Sequence, residues 1–309
     1  MNAMSDWSLV IHGGAGSIER HRLTEEQDSG ARAGLTLALG VGSAILRDGG
    51  DALDAVEAAV RVLEEDTHFN AGRGAAFSSD GSIELDAAIM DGRTRAAGSV
   101  AGITATRSPV GLARRVMEAS PHVLLSGDGA ERFAREQGLA IAEPGWFETT
   151  ERRRQLDEML ARNVDAFDVD MKYGTVGAVA RDCAGHLAAA TSTGGVTGKR
   201  WGRIGDSPLI GAGTHADDRS SAVSCTGSGE FFIRIGVGHE IAARIRMLGE
   251  GPQIAADAVM AEVRALGGTG GVIVTGPHGQ AIWSFTTPGM YRARATAAGV
   301  HEVAVYGDE

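Results

Sequence analysis

The stretch GTVGAVARDCAGHLAAATSTGG, residues 174–195, has the pattern of two short apolar strands joined by a tight turn. Cys183-Ala184-Gly185 predicts a three-residue hairpin loop, with Gly185 in the left-handed position. Around such a loop, facing residues have numbers that add up to about 368. Because 175 + 193 = 368, we expect Thr175 opposite Thr193, with Cβ atoms about 5 Å apart. Facing threonines are also ordinary strand residues, so this pair alone leaves a structural and a chemical interpretation open.

Outside this hairpin, the chain has helices in pairs and strands in hairpins. Helices are predicted over 23–47, after the cap residues Asp51 and Ser108, and over 254–265; strands are predicted over 8–12, 83–90, 95–104, 175–181, 186–193, 220–226, 271–275 and 281–285. A solvated helix is expected after Glu151, as part of a charged connector. One long helix is expected to carry the stripe Ile233, Val237, Ile241, Ile245 and Leu248. This order favours a mixed or antiparallel sheet layered with helices over a doubly wound parallel sheet.

The composition excludes several classes of protein. The formal net charge of −11 argues against a nucleic-acid groove and an anionic membrane surface as partners. Glycine is abundant, at 45 of 309 residues, yet 43% of the residues are hydrophobic, so a collagen-like or disordered chain is not expected. Two cysteines, no leader-like pattern over 1–16 and a weakly polar run of only 13 residues over 34–46 predict a cytoplasmic protein with no membrane span.

Familiar cofactor and nucleophile motifs fail on inspection of their spacing. The Gly-x-Gly pairs lack the third glycine of a dinucleotide site, and Gly198-Lys199 lacks the remainder of a P-loop. The esterase-like His12-Gly13-Gly14 has no Gly-x-Ser-x-Gly to supply a nucleophile. The histidines show no metal-binding pair at helical spacing. We therefore expect no organic cofactor.

Two further loops could carry chemistry. Thr226 to Glu230, TGSGE, joins a strand to a helix, where backbone N–H groups could bind an oxyanion; a simple helix start capped by Ser228 is the alternative. Arg203 and Asp206 lie three residues apart and could clamp the carboxylate and the ammonium of an amino acid. A surface ion pair between them is the alternative here.

Taken together, these motifs resemble one family. They are IHGGAG at 11–16, FNAGRG at 69–74, IMDG at 89–92, SPHV at 120–123, GTVGAVA at 174–180, TSTGG at 191–195, GRIGDSP at 202–208 and SCTGSGE at 224–230. The chain resembles the plant-type L-asparaginases with isoaspartyl peptidase activity, which are N-terminal-nucleophile hydrolases. The resemblance covers nearly the whole chain in the same order.

The resemblance implies an α+β fold, a four-layer αββα sandwich with two mostly antiparallel sheets flanked by helices. It also implies a single domain over 1–309, made as a precursor that cuts itself between Gly174 and Thr175. The products would be an α chain of residues 1–174 and a β chain of residues 175–309, assembled as a homodimer of precursors that matures to (αβ)2. Glycine before the cut is reasonable, because a strained peptide there has no Cβ in the way.

By the same resemblance, the Thr175 hydroxyl attacks the amide of L-asparagine or of a β-aspartyl dipeptide, with its own α-amino group as base. Thr193 would orient Thr175, Thr226 and Gly227 would form the oxyanion hole, and Asn70 would assist in positioning. The substrate-binding residues would be Arg203, Ile204, Gly205, Asp206, Ser228 and Gly229. Main-chain carbonyls would hold a structural sodium ion in the loop of Leu63, Glu64, Phe69, Ala71 and Arg73.

Three residues depart from the family pattern: Tyr173 before the cut, Trp201 beside the Arg203 loop, and Thr286 in place of an expected asparagine. They bear on cleavage rate and substrate preference and leave the reaction class unchanged. A glycosylasparaginase-like amidase is the closest alternative. A glycine-rich α/β binding module without turnover is an alternative from another class, and it predicts a single uncut chain.

Overall fold

A computed structural model describes residues 6–143, 145–162 and 174–309. The strands are β1 Ser8–Gly16, β2 Leu85–Asp91, β3 Ala97–Ile103, β4 Leu124–Ser126, β5 Val176–Arg181, β6 Leu187–Thr193, β7 Thr214–Asp217, β8 Ser221–Gly227, β9 Gly270–Thr275, β10 Ala281–Phe285, β11 Gly289–Thr296 and β12 His301–Tyr306. They form one sheet in the order β12-β11-β1-β5-β6-β2-β3-β4 and a second in the order β10-β9-β8-β7. Only the β3–β4 pair is parallel among the described strand pairs.

The helices lie on the two outer sides of the stacked sheets. They are α1 Glu25–Arg47, α2 Ala52–Glu65, α3 Pro109–Ala119, α4 Gly127–Glu136, α5 Thr150–Arg162, α6 Gly229–Ile235, α7 Val237–Ala243 and α8 Pro252–Ala265. The first three pack on the large sheet, α7 and α8 pack on the small one, and β5 and β6 contact β7–β9 between the layers. The predicted four-layer αββα sandwich is therefore confirmed.

Three apolar layers hold the sandwich together, and β5 contributes to two of them. Val176, Ala178 and Ala180 face the helices of the large sheet, whereas Val179 faces the small sheet. This alternation follows from the two-residue period of a strand. A third layer lies between the small sheet and the helices α6–α8. Because both faces of β5 are buried, the residue at its start is fixed by packing on two sides.

The hairpin has the register that its loop length predicts. Val176 pairs with Ser192, so facing residue numbers again add up to 368. Gly185 has φ +90°, the left-handed conformation that the three-residue loop requires. The open end of this hairpin therefore carries Thr175 and Thr193 side by side.

The single long helix expected after Gly229 is wrong. Gly236 adopts φ +68° between α6 and α7, and the chain ends this region in a π-helical turn over 244–248. The apolar stripe predicted a continuous helix because it does not register a left-handed glycine in its middle. Leu248, the last residue of that stripe, is exposed.

The solvated helix expected after Glu151 is only partly solvated. Arg152, Leu156 and Met159 of α5 are buried, and the Arg152 guanidinium donates to the Gly74 carbonyl at 2.6 Å. The α5 helix is thus anchored on the loop that follows α2. The rest of the connector, residues 163–173, lies outside the described residues, and Tyr173 lies there with it.

By length and composition the whole of α1 is apolar enough to cross a membrane, although the weakly polar run 34–46 within it spans only 13 residues. In the fold, α1 packs against α2, β1 and β11, and Leu35, Leu39 and Leu46 are fully buried. The core helix of a soluble protein passes the same test of length and composition. The apolar face of α1 is therefore accounted for by the interior that it covers.

Candidate active site

The two predicted threonines meet at the open end of the β5–β6 hairpin. The Thr175 hydroxyl donates to Thr193 Oγ1 at 3.1 Å, and Thr193 Oγ1 also accepts from the Gly195 N–H at 3.0 Å. Ser207 Oγ lies 3.3 Å from Thr175 Oγ1. Thr175 is only 7% exposed in the uncut chain. The Thr175 hydroxyl therefore has two hydroxyl neighbours, and Ser207 is one that sequence reasoning missed, although it directly follows Asp206.

Gly174 packs closely against Thr226, one of the residues predicted to form the oxyanion hole. A Cβ atom at Gly174 would lie 2.4 Å from Thr226 Oγ1 and 3.0 Å from the Gly14 Cα atom, so only glycine fits. Thr226 Oγ1 also accepts from the Ala15 N–H at 3.3 Å, and Gly227 follows with φ +148°. The Cα atom of Gly174 thus lies against the Thr226 hydroxyl, directly before Thr175 in the chain.

Sequence reasoning missed the role of His12 in this site. Its ring is fully buried, with Nδ1 2.9 Å from the Thr175 carbonyl oxygen and Nε2 2.9 Å from Ser224 Oγ. Burial lowers the pKa of His12 to about 3, because the charged ring would lose its hydration, so the imidazole is neutral. The His12-Gly13-Gly14 motif could have signalled a contact with a candidate catalytic residue, but nothing in the sequence connects it to Ser224.

Arg203 and Asp206 converge on Gly229. The position of a Gly229 Cβ would be 2.8 Å from Asp206 Oδ1 and 2.9 Å from Arg203 Nη2. The alternative of an ion pair between the two is wrong, because Arg203 makes a bidentate pair with Glu230 at 2.8 and 2.9 Å. Asp206 is 3% exposed, and its Oδ2 has no hydrogen-bond partner among the described residues. Burial raises the pKa of Asp206 to about 7.

The remaining predicted binding residues line the same turn in different ways. Ile204 is exposed, and Gly205 lies under the Arg203 guanidinium, where a Cβ would come within 2.8 Å of Nη1. Ser228 makes no capping bond to α6; its Oγ accepts from the Thr269 N–H at 3.2 Å. The simple capped helix start is therefore wrong.

Two of the departures from the family pattern lie next to this turn. Trp201 is 96% exposed and has φ +57°, in the turn that the Arg203 N–H closes on the Arg200 carbonyl. Thr286 Oγ1 accepts from the Gly270 N–H at 3.1 Å, and Gly270 pairs with Gly227. Thr286 thus supports the Thr226–Gly227 turn from behind.

Asn70 fixes the loop that follows Thr193. The Asn70 side chain donates through Nδ2 to the Gly195 carbonyl at 2.6 Å and accepts through Oδ1 from the Ala76 N–H at 2.8 Å. The main-chain carbonyl of Asn70 accepts from the Gly194 N–H at 3.0 Å. These contacts bring the segment after α2 to the end of β6. Asn70 therefore lies where it can position Thr193 and, through it, Thr175.

The loop after α2 gathers main-chain carbonyls. Leu63 and Glu64 lie in the last turn of α2, Phe69 and Ala71 are fully buried, and the Arg73 N–H donates to the Glu64 carbonyl at 2.7 Å. A Cβ atom at Gly74 would lie 2.8 Å from the carbonyl oxygens of both Thr67 and Phe69. Within the described residues, no group of three or more His, Cys, Asp or Glu could hold a metal ion. Carbonyl oxygens are the donors that this loop offers to a cation.

Comparison with known proteins gives one consistent result. A family model described as asparaginase matches residues 5–305. The chain is 47% identical to an isoaspartyl peptidase of Salmonella typhimurium, with 96% of this chain and 98% of the relative covered. It is 45% identical to an isoaspartyl peptidase of Escherichia coli, covering 97% and 96%. It is 40% identical to a probable isoaspartyl peptidase/L-asparaginase 2 of Arabidopsis thaliana, covering 98% and 100%.

Proposed function

The chain belongs to the asparaginase family, and from that premise we propose that it hydrolyses L-asparagine to aspartate and ammonia. On β-aspartyl dipeptides the same reaction releases aspartate and an amino acid. Relatives named for both activities support this assignment. The observation that carries this proposal is the environment of Thr175: its hydroxyl donates to Thr193, and the preceding Gly174 packs closely against Thr226.

The proposed enzyme first cuts its own chain before Thr175. The Thr175 hydroxyl attacks the Gly174 carbonyl carbon, the resulting ester is hydrolysed, and chains of residues 1–174 and 175–309 result. Cleavage frees the Thr175 α-amino group, whose ordinary pKa is about 8, so it accepts a proton readily near neutral pH. One residue then supplies both nucleophile and base.

In each turnover, the Thr175 α-amine takes the proton of the Thr175 hydroxyl as Oγ attacks the amide carbon of the substrate. The Thr226 hydroxyl and the Gly227 N–H stabilise the oxyanion. The intermediate collapses by breaking the C–N bond, and the amine leaves with the proton from the Thr175 ammonium group. Water then attacks the aspartyl ester and restores the threonine. The close approach of Gly174 to Thr226 supports this role for Thr226, because the peptide that is cut and a substrate amide would use the same oxyanion hole.

Charge selects the substrate. The Asp206 carboxylate binds the α-ammonium group, and Arg203, held by Glu230, binds the α-carboxylate with the donors that Glu230 leaves over. Both groups converge on Gly229, which supports a ligand with the two charges on one carbon. The unpartnered Asp206 Oδ2 supports the same assignment, since a buried acceptor without a partner favours a ligand that donates to it.

Cation binding, assembly and compartment complete the proposal. The carbonyls of the loop from Leu63 to Arg73 would hold sodium, whose charge would keep those oxygens together and support Asn70 from behind. The assembly would be a homodimer of precursors that matures to (αβ)2. Cys183 and Cys225 are free thiols, which supports a cytoplasmic protein.

The test combines a denaturing gel, N-terminal sequencing of the smaller fragment and an ammonia-release assay. We expect two fragments, the smaller beginning at Thr175, and turnover of asparagine and β-aspartyl dipeptides. Faster hydrolysis of N-glycosyl-asparagine would instead support a glycosylasparaginase-like amidase. A stable single chain with no turnover would support the binding module.

A further inference from the structure

We propose that His12 is a positioning residue for the nucleophile: its ring holds the Thr175 carbonyl directly, and a chain of buried hydroxyls that spans both sheets holds the ring. The inference rests on the proposed function and adds to it a residue outside the predicted site. His12 lies on β1, far from Thr175 in the sequence, and its ring is fully buried.

The chain of hydrogen bonds begins and ends at Thr175. From the Thr175 carbonyl it passes through His12 to Ser224 Oγ, 2.9 Å from Nε2, and then to Thr191 Oγ1 at 2.7 Å. Thr214 Oγ1 follows at 2.6 Å from Thr191 Oγ1, and it also lies 3.0 Å from the Ser207 carbonyl oxygen, so these two acceptors share its single proton. Ser207 Oγ returns to Thr175 Oγ1 at 3.3 Å. We call these residues the hydroxyl chain.

The direction of the protons along this chain follows from one carbonyl. A carbonyl oxygen only accepts, so His12 Nδ1 carries the ring proton and Nε2 accepts from Ser224. Ser224 must then accept from Thr191, and Thr191 from Thr214. The Ser224 and Thr191 hydroxyls therefore each have one defined orientation as long as the ring stays neutral, whereas the Thr214 proton is shared between Thr191 Oγ1 and the Ser207 carbonyl. A desolvated ring that strongly disfavours the charged form meets that condition.

Gly177 leaves the space in which the hydroxyl chain is built. A Cβ atom at this position would lie 2.0 Å from Ser224 Oγ and 2.5 Å from His12 Nε2. The glycine of the Thr-Val-Gly sequence thus makes room for a bond between β1 and β8. Three separate motifs, around His12, Gly177 and Ser224, meet at this one hydrogen bond.

The consequence is that Thr175 is held at both ends. Its hydroxyl is bonded by Thr193 and Ser207, and its carbonyl by His12. After cleavage, Thr175 becomes a chain terminus, whose α-amine must reach its own hydroxyl. A carbonyl fixed by His12 limits rotation of that terminus, and a misplacement of about 1 Å can cost about a hundredfold in rate.

The test compares His12→Leu with His12→Asn in the full chain, because an Asn amide can still donate near the position of Nδ1. The readouts are the extent of self-cleavage on a gel, and kcat and KM for asparagine, with kcat normalised to the fraction of cut chains. We expect His12→Leu to lower kcat about a hundredfold, with KM changed less than about threefold, and His12→Asn to restore about tenfold of that loss. His215→Asn is the matched control, a buried histidine on β7 outside the hydroxyl chain, and should keep the wild-type kcat.

A kcat for His12→Leu within about threefold of wild type, or no recovery in His12→Asn, would overturn the proposal. If His12→Leu does not fold, Ser224→Ala decides: a loss of about tenfold in kcat supports the hydroxyl chain, and unchanged kcat contradicts it. A wild-type protein that cuts itself but turns over neither substrate contradicts the proposed function alone; the rate of self-cleavage in the variants then tests His12.

Discussion

The two sides of Thr175 differ in how their polar groups are satisfied. On the carbonyl side, His12, Ser224 and Thr191 are fully buried and bonded to one another without a gap. On the substrate side, Asp206 is buried with one oxygen lacking a partner in the described part of the chain, and Arg203 is paired with a half-buried Glu230. One side has all of these hydrogen bonds within the protein, whereas the other leaves a buried carboxylate oxygen available to the proposed ligand.

This difference separates positioning from recognition. A satisfied buried network is rigid and has one arrangement, whereas an unpartnered buried carboxylate costs free energy until a cation binds. Substitutions on the carbonyl side should therefore change kcat, and substitutions on the substrate side should change KM. Substitutions of Thr175, which lies between the two sides, and of residues on the substrate side test that division.

Thr175→Ala should abolish both self-cleavage and turnover, because it removes the hydroxyl that we propose as the nucleophile of both reactions. We expect a single uncut chain on a gel and a loss of at least about 10⁴-fold in kcat/KM. Thr175→Ser is the matched control, since it keeps a hydroxyl and should still cut, more slowly. If the alanine protein still splits between Gly174 and residue 175, then the proposed mechanism is wrong.

Asp206→Asn should mature normally yet bind substrate poorly, because it removes the charge opposite the α-ammonium group. We expect kcat/KM for asparagine to fall by about 10²- to 10³-fold, mostly through KM. Asp218→Asn is the control, as that partly exposed carboxylate bonds His186 away from Thr175. A loss confined to kcat would contradict the division between the two sides.

The pH dependence should also report Asp206. With a pKa of about 7, its carboxylate is ionised only above neutrality, so kcat/KM should rise as pH rises through about 7. The pKa of Asp206 in the folded state is above that in the unfolded state. Its contribution to the free energy of unfolding therefore decreases as the pH rises from about 4 to about 7. Both effects should disappear in Asp206→Asn, leaving in kcat/KM only the titration of the Thr175 α-amine. A urea titration and a rate profile at each pH give both readouts.

Glu230→Gln should have the smallest effect, because this side chain is partly exposed and solvent weakens its pairing with Arg203. We expect KM for asparagine to rise about threefold and kcat to stay unchanged, since the guanidinium loses only its orientation. Glu240→Gln, on the surface of α7, serves as the control. An effect on kcat larger than that on KM would place Glu230 in the chemistry and contradict this view.

Much of the fold and part of the site could be predicted because they depend on local sequence. The register of Thr175 and Thr193 follows from one loop length, and it agrees with the structure. The hydroxyl chain could not be predicted, since His12 and Ser224 are 212 residues apart and meet only where two sheets stack. The pairing of Arg203 with Glu230 instead of Asp206 likewise depends on how two loops approach.

Strands β11 and β12 were missed for a different reason. Arg292 lies in the middle of β11, and a strand with a buried arginine does not show the usual apolar alternation. Arg292 Nη1 donates to the Met290 carbonyl, and Nη2 donates to the carbonyls of Tyr306 and Glu309. Only the folded chain brings these acceptors together, so the sequence pattern argued against the strand.

The order of strands in the large sheet has a consequence for the proposed cut. Strand β1, from the first part of the chain, lies between β11 and β5 from the second, and β2 pairs with β6 across the same division. A cut enzyme would keep its shape, because the two pieces are interleaved strand by strand. Once denatured, however, the pieces would have to find each other again, so refolding would become second order and the thermal midpoint would depend on protein concentration. The uncut chain would fold as one piece, whereas a cut enzyme would rely on having been folded before it was cut.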